Sequence, residues 1–80
     1  MPSLFQTEEQ LEASAPVLGY RILKLLRHRK VSRISLFDIS DQFVEEKWFD
    51  ARHLYFALLF LFSVGLIDLV GSYVVLHAQD

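Results

Sequence analysis

A mostly helical domain closed by a small β-hairpin is the fold class this sequence predicts. Three observations carry the prediction. Apolar residues recur at spacings of three and four over residues 17–26 and again over 36–43, the signature of amphipathic helices. A nearly unbroken apolar run, LYFALLFLFSVGLI, fills residues 54–67, with Ser63 and Gly65 as its interruptions. Two β-branched-rich runs, LIDLV and YVVLH, then flank Gly71-Ser72, and a Gly-first two-residue link suits a type II′ hairpin turn.

Eighty residues allow one domain, divided here into an N-terminal arm, 1–15, and a folded body, 16–80. The arm carries Leu4 and Phe5. Thr7 and Gln10 have capping-box spacing, which predicts a turn or two of helix over 8–14. Pro16 suits the first position of helix one. In that helix Leu18, Ile22, Leu25 and Leu26 share a face, while Arg21, Lys24 and Arg27 take the other. Its basic end, Arg27-His28-Arg29-Lys30, complements the negative end of the helix dipole. Gly19, in the middle, predicts a close approach of another helix. Residues 31–34 suit a short extended link. Ser35 with Asp38 reads as the N-cap of helix two, which the spacing carries to about Glu46. Leu36, Ile39 and Phe43 turn inward, and Asp41, Glu45 and Glu46 turn to water. KWFD is the turn, Asp50 caps helix three over 51–64, and Gly65 stops it. Helix, short strand, helix, helix, hairpin is the winged helix-turn-helix order.

Composition excludes several function classes. With 52% hydrophobic and 22% charged residues the chain is no disordered segment. It is rich in apolar groups for a domain that buries only about 60% of its unfolded surface. A net charge of -2 argues against non-specific nucleic-acid binding by the whole surface. With no cysteine there is neither disulfide nor zinc-thiolate site, as suits a reducing cytoplasm. The apolar run falls short of the roughly 18–20 residues of a membrane span, and Arg52, His53 and Asp68 bracket it. It also lacks the basic polar face of a membrane-surface helix. The first ten residues hold acids where a signal peptide has bases. His28, His53 and His77 lack metal-pair spacing, Ser32, Ser35 and Ser40 lack a placed His–acid pair, and the three glycines are isolated. No catalytic residue, metal or cofactor is expected.

Helix three is where the surplus lies. At 100° per residue Leu54, Ala57, Leu58, Leu61 and Val64 fall on one side and suit the core. The other side holds Arg52, Tyr55, Phe56, Leu59, Phe62 and Ser63, with Leu66 just past the stop. A DNA-reading helix needs polar and basic residues there, and Arg52 alone is conventional. Leaving four or five large apolar side chains wet forgoes roughly 6–15 kcal/mol of burial, comparable to the stability of a whole domain. The face is therefore expected to be covered, with Tyr55, Phe56, Leu59, Phe62 and Leu66 as partner-binding residues. A second copy, another subunit, or the chain's own arm with Leu4, Phe5 and Leu11 could do so. Arg21, Lys24, Arg29, Lys30, Arg33 and Arg52 form the candidate contact for nucleic acid or another anionic partner. Asp38, Asp41, Glu45 and Glu46 make an acidic face, solvated or turned to a basic partner. Trp48 and Phe49 either anchor a partner or cap the core.

Two stretches resemble a known family. ALLFLFSVGLIDL, residues 57–69, is similar to the Ala-Leu-x-Phe-Leu-(Tyr/Phe)-x-(Leu/Val)-Gly-x-Ile-(Glu/Asp)-Leu signature of the small middle components of bacterial ABC-three-component systems. GYRILKLLRHRK, residues 19–30, is similar to their first helix. The resemblance implies a non-enzymatic subunit encoded beside an SMC-like ABC ATPase and an effector, as in Lamassu-type anti-phage or anti-plasmid defence. Leu59 and Leu66 depart from it, standing where the family is expected to carry polar residues. The sequence thus predicts a non-catalytic winged-helix adaptor. The alternative is a winged-helix DNA-binding regulator using the basic residues and the wing.

Overall fold

The computed structural model describes residue 11 and residues 13–77. In order they form α1 (Ala15–Arg29), β1 (Arg33–Ser35), α2 (Leu36–Phe43), α3 (Ala51–Ser63), β2 (Ile67–Val70) and β3 (Tyr73–Leu76). The architecture is mostly helical with a three-stranded antiparallel sheet, ordered β1-β3-β2. Leu4, Phe5 and the Thr7–Gln10 box lie outside the described residues; Leu11 and Ala13, within the expected turn, are helical. No helix among the described residues is long and apolar enough to cross a membrane.

Local chemistry sets most of the boundaries. Pro16 stands in the first turn of α1, where a missing N–H costs nothing. Ser35 Oγ accepts the Asp38 N–H at 3.0 Å and opens α2, and Asp50 Oδ1 accepts the His53 N–H at 3.0 Å and opens α3. At the far end of α3, Gly65 takes φ +81°. Its N–H donates to Phe62 O at 3.0 Å, and the Leu66 N–H donates to Leu61 O at 2.9 Å, the paired bonds of a Schellman stop. The hairpin closes with Val70 opposite Tyr73. Gly71 has φ +60° and Ser72 does not share a positive φ, as a type II′ turn requires.

The end of α1 uses the same stop with an unusual residue. Lys30 lies in the left-handed region, φ 57° and ψ 40°. Its N–H donates to Arg27 O and the Val31 N–H to Leu26 O, both at 3.1 Å. A side chain there costs roughly 1–2 kcal/mol, and glycine gives back about 0.5–1 kcal/mol as unfolded-state entropy. Lys30→Gly is therefore expected to raise stability by about 0.5–1 kcal/mol. A urea midpoint that fails to rise would show the Lys30 side chain contributing more than its strain costs.

The core sits between α1, α2, α3 and the inner face of the sheet. Leu18, Ile22, Leu26, Ile39, Leu61, Ile67 and Val74 are fully enclosed. Register puts Ile34 and Leu69 opposite Val74 on its two sides, and Ile67 opposite Leu76. Gly19 lets α1 and α3 approach: a Cβ there would stand 3.1 Å from Leu61 Cδ2. Phe43, Trp48 and Phe49 form a ring cluster with centroids 5.9–6.2 Å apart, so the Trp-Phe pair packs against the core.

Three expectations change. Helix two ends at Phe43 rather than near Glu46, and residues 44–49 turn instead. Val64 is 53% exposed rather than buried: it caps α3 with φ -91° and ψ 4°, already off the helical path. Leu23 joins the buried face of α1, while Leu25 is only partly covered.

Candidate protein interface on the outer face of α3

Asp50 and Gly65 fix where α3 begins and ends, and Leu54, Ala57, Leu58 and Leu61 fix which way it faces by filling the core. What remains points outward. Tyr55 is 59% exposed, Phe56 53% and Phe62 50%. The rings of Tyr55 and Phe56 lie 5.7 Å apart. Leu59 is half-buried. Leu66 is too, because it packs on the core just after the helix stops; it offers a partner less than its place in the sequence suggests. Phe60, which the face assignment left unplaced, is exposed on the flank. Its 100° step from both inner and outer rows is the signal that locates it. Arg52 marks the start of the face, with Nη2 3.7 Å from Asp50 Oδ2. Ser63 is exposed near its end.

The basic residues do not converge in the same way. Arg21 is engaged inside the fold. Its Nη2 donates to Glu46 Oε2 at 3.1 Å and its Nη1 to Oε1 at 3.4 Å. Its guanidinium lies 4.8 Å from the Phe43 ring centre and 5.8 Å from that of Trp48. The Trp48 indole N–H donates to Glu46 Oε1 at 3.0 Å. Arg21 thus holds the 44–49 turn against α1. Glu46, expected to face water with Asp41 and Glu45, is drawn in by it. Lys24 is exposed beside the Tyr20 ring at 5.4 Å, Arg29 donates to Gln42 Oε1 at 3.2 Å, and Arg33 lies 4.9 Å over Tyr73. Lys30 is exposed in its left-handed cap. Arg21, Lys24, Leu25, His28, Gln42 and Phe43 line a surface pocket of about 260 Å³. Arg52, on α3, lies on a different element from these lining residues.

The charge pair has a pH consequence. Hydrogen bonds from Arg21, reinforced by its charge and by the Trp48 N–H and opposed by partial burial, hold the Glu46 carboxyl below its usual 4.5. A carboxylate with a lowered folded-state pKa stabilises the fold fully above its unfolded value, and that contribution is lost as pH falls through the folded one. Glu46→Gln is expected to leave a fold whose urea midpoint falls less between pH 5 and more acidic conditions than the wild type does. Identical acid limbs for the two proteins would show that the pair carries none of the acid sensitivity. Because both side chains are about one-third exposed, solvent screening keeps the effect modest. Asp50 is likewise held low, first by the His53 N–H and further by the charges of His53 and Arg52.

His77 bridges two elements. Its Nδ1 lies 2.7 Å from Gly65 O and its Nε2 2.7 Å from Asp68 Oδ2. It thereby ties the residue after β3 to the stop of α3 and to β2. Phe37, 73% exposed on α2, is another apolar residue outside the core. No cluster of metal-ligating side chains occurs among the described residues. Comparison with known protein families, with curated proteins and with solved structures finds no match to this chain.

Proposed function

We propose that this chain is a non-catalytic winged-helix adaptor subunit that assembles with other proteins through the outer face of α3. The observation that carries the reading is the exposure of Tyr55, Phe56 and Phe62 together on one helix face. The order of elements and the β1-β3-β2 sheet support the winged-helix assignment, in which α3 occupies the recognition-helix position and β2-β3 the wing. A DNA-reading helix would present bases to the groove; this one presents aromatic rings, and rings of this kind anchor protein interfaces. The resemblance of residues 19–30 and 57–69 to middle components of ABC-three-component systems supplies the partners: an SMC-like ABC ATPase and an effector in anti-phage or anti-plasmid defence.

Co-expression with an SMC-like ATPase encoded beside this chain tests the proposal. The ATPase is expected to co-purify with the wild type and to be lost with Phe62→Glu, a substitution at an exposed position that leaves the core untouched. Equal recovery with both would overturn the role of this face. Salt-sensitive retention of duplex DNA, abolished by charge reversal at Arg29, Lys30 and Arg33, would favour the DNA-binding regulator instead.

A further inference from the structure

We infer that His77 is held as the imidazolium and acts as a proton-dependent clasp joining the end of α3, β2 and the residue after β3. The inference is independent of what covers the outer face of α3. Each ring nitrogen of His77 stands 2.7 Å from an oxygen, Nδ1 from Gly65 O and Nε2 from Asp68 Oδ2. A backbone carbonyl and an ionised carboxylate can only accept. A neutral imidazole has one N–H and one lone pair. In either tautomer one of the two contacts would set a nitrogen lone pair against an oxygen lone pair at this distance. A proton shared by imidazole and carboxylate resides on the imidazole, the stronger base. The charged ring donates to both oxygens, and its bond to Asp68 is charge-assisted.

The surroundings favour the same state. Gly65 lies just past α3, so its carbonyl belongs to the negative pole of that helix. α3 has no basic residue in its last turn, whereas α1 ends with Arg27, His28 and Arg29. A histidine cation at an uncompensated C-terminal pole is favoured. Across the sheet Arg33 of β1, Val75 of β3 and Asp68 of β2 lie in one row, and His77 follows Val75 by the two-residue period of a strand. Arg33, the cation of that row, is turned over the Tyr73 ring at 4.9 Å, and the ion pair of Asp68 is with His77. The His77 N–H donates to Leu66 O at 3.0 Å, which anchors the backbone from which the ring reaches both oxygens.

The clasp therefore opens as pH rises. A ring that takes up its proton more readily in the fold than in the unfolded chain adds stability on the acid side of the unfolded histidine's titration. That stability is lost as pH climbs through the titration of the folded ring. Side-chain exposures of 44% for His77 and 49% for Asp68 let solvent screen the pair. Once the ring is neutral, either Gly65 O or Asp68 loses its donor, and the segment after β3 loosens from the helix stop.

Nitrogen-15 NMR of the imidazole rings tests the inference on the full chain, which has three histidines. His77→Gln, a change at an exposed position after the last strand, identifies the His77 signals by their loss. The folded His77 ring is expected to show both nitrogens protonated at a pH where the same ring in the urea-unfolded chain is largely neutral. Asp68→Asn keeps the Gly65 carbonyl and the helix pole, and is expected to move the titration part of the way to the unfolded one. Between about pH 6 and about pH 8.5, the range around ordinary histidine titration, the wild-type urea midpoint is expected to fall more than that of His77→Gln. A folded His77 that titrates with its unfolded counterpart, or stays a single neutral tautomer through this range, overturns the inference. So does a His77→Gln midpoint that runs parallel to the wild type.

Discussion

Leu61→Ala is expected to lower stability by about 2–5 kcal/mol, the largest effect of any substitution considered. Leu61 is 1% exposed, lies on the inner row of α3 and meets α1 at Gly19. Truncation removes its burial and leaves a void that α1 can close only by moving toward a helix already in close contact. A domain of this size carries about 4–12 kcal/mol in total at typical per-residue stability, so much of it is at stake. Each kcal/mol moves the melting temperature by about 4–8 °C in a domain this small. Urea and thermal melts at one fixed protein concentration would measure it, since association couples to apparent stability. A loss below 1 kcal/mol would mean that the α1–α3 contact relaxes freely.

Gly19→Val approaches the same contact from the other side and is expected to cost about 1–3 kcal/mol by overpacking. The added Cβ alone would stand 3.1 Å from Leu61 Cδ2 and 3.2 Å from Leu61 Cγ, and the two methyls of valine reach further. Gly19→Ala is the gentler comparison: about 1 kcal/mol of helix propensity offsets part of the squeeze. Because both residues share one interface, the double variant Gly19→Val with Leu61→Ala is expected to lose less than the two losses added. Strict additivity in denaturant melts would show that these side chains do not compete for the same space.

Much of this fold is legible along the chain because its boundaries are local. Ser35, Asp50, Gly65 and Gly71 each act through bonds or dihedrals within a few residues, and each does what its residue type predicts. The end of α2 is different. Residues 44–49 contain neither glycine nor proline, so no residue type announces the turn, which is closed by Glu46 N–H on Phe43 O and Phe49 N–H on Glu46 O. The turn is also fastened from 25 residues away by Arg21 on Glu46, with Trp48 bonded to the same carboxylate. A helical wheel of α1 shows Arg21 only as one more cation beside Lys24 and Arg27, so its engagement was invisible. The candidate site divides along the same line. Tyr55, Phe56 and Phe62 are exposed as periodicity implies. Leu66 and Val64 exchange expectations because both lie where the helix stops and the 100° rule lapses: Leu66 turns in to the core and Val64 turns out.

The central position of β3 bears on biosynthesis. It follows both of its sheet neighbours in sequence, yet each of them pairs only with it. During translation β1 and β2 emerge before any edge exists to receive them, whereas α3 follows α1, the helix it packs against. Closure waits for residues 73–76. Until they arrive β1 and β2 have no strand to pair with, and their backbone edges stay open to whatever chaperone or neighbouring polypeptide is at hand.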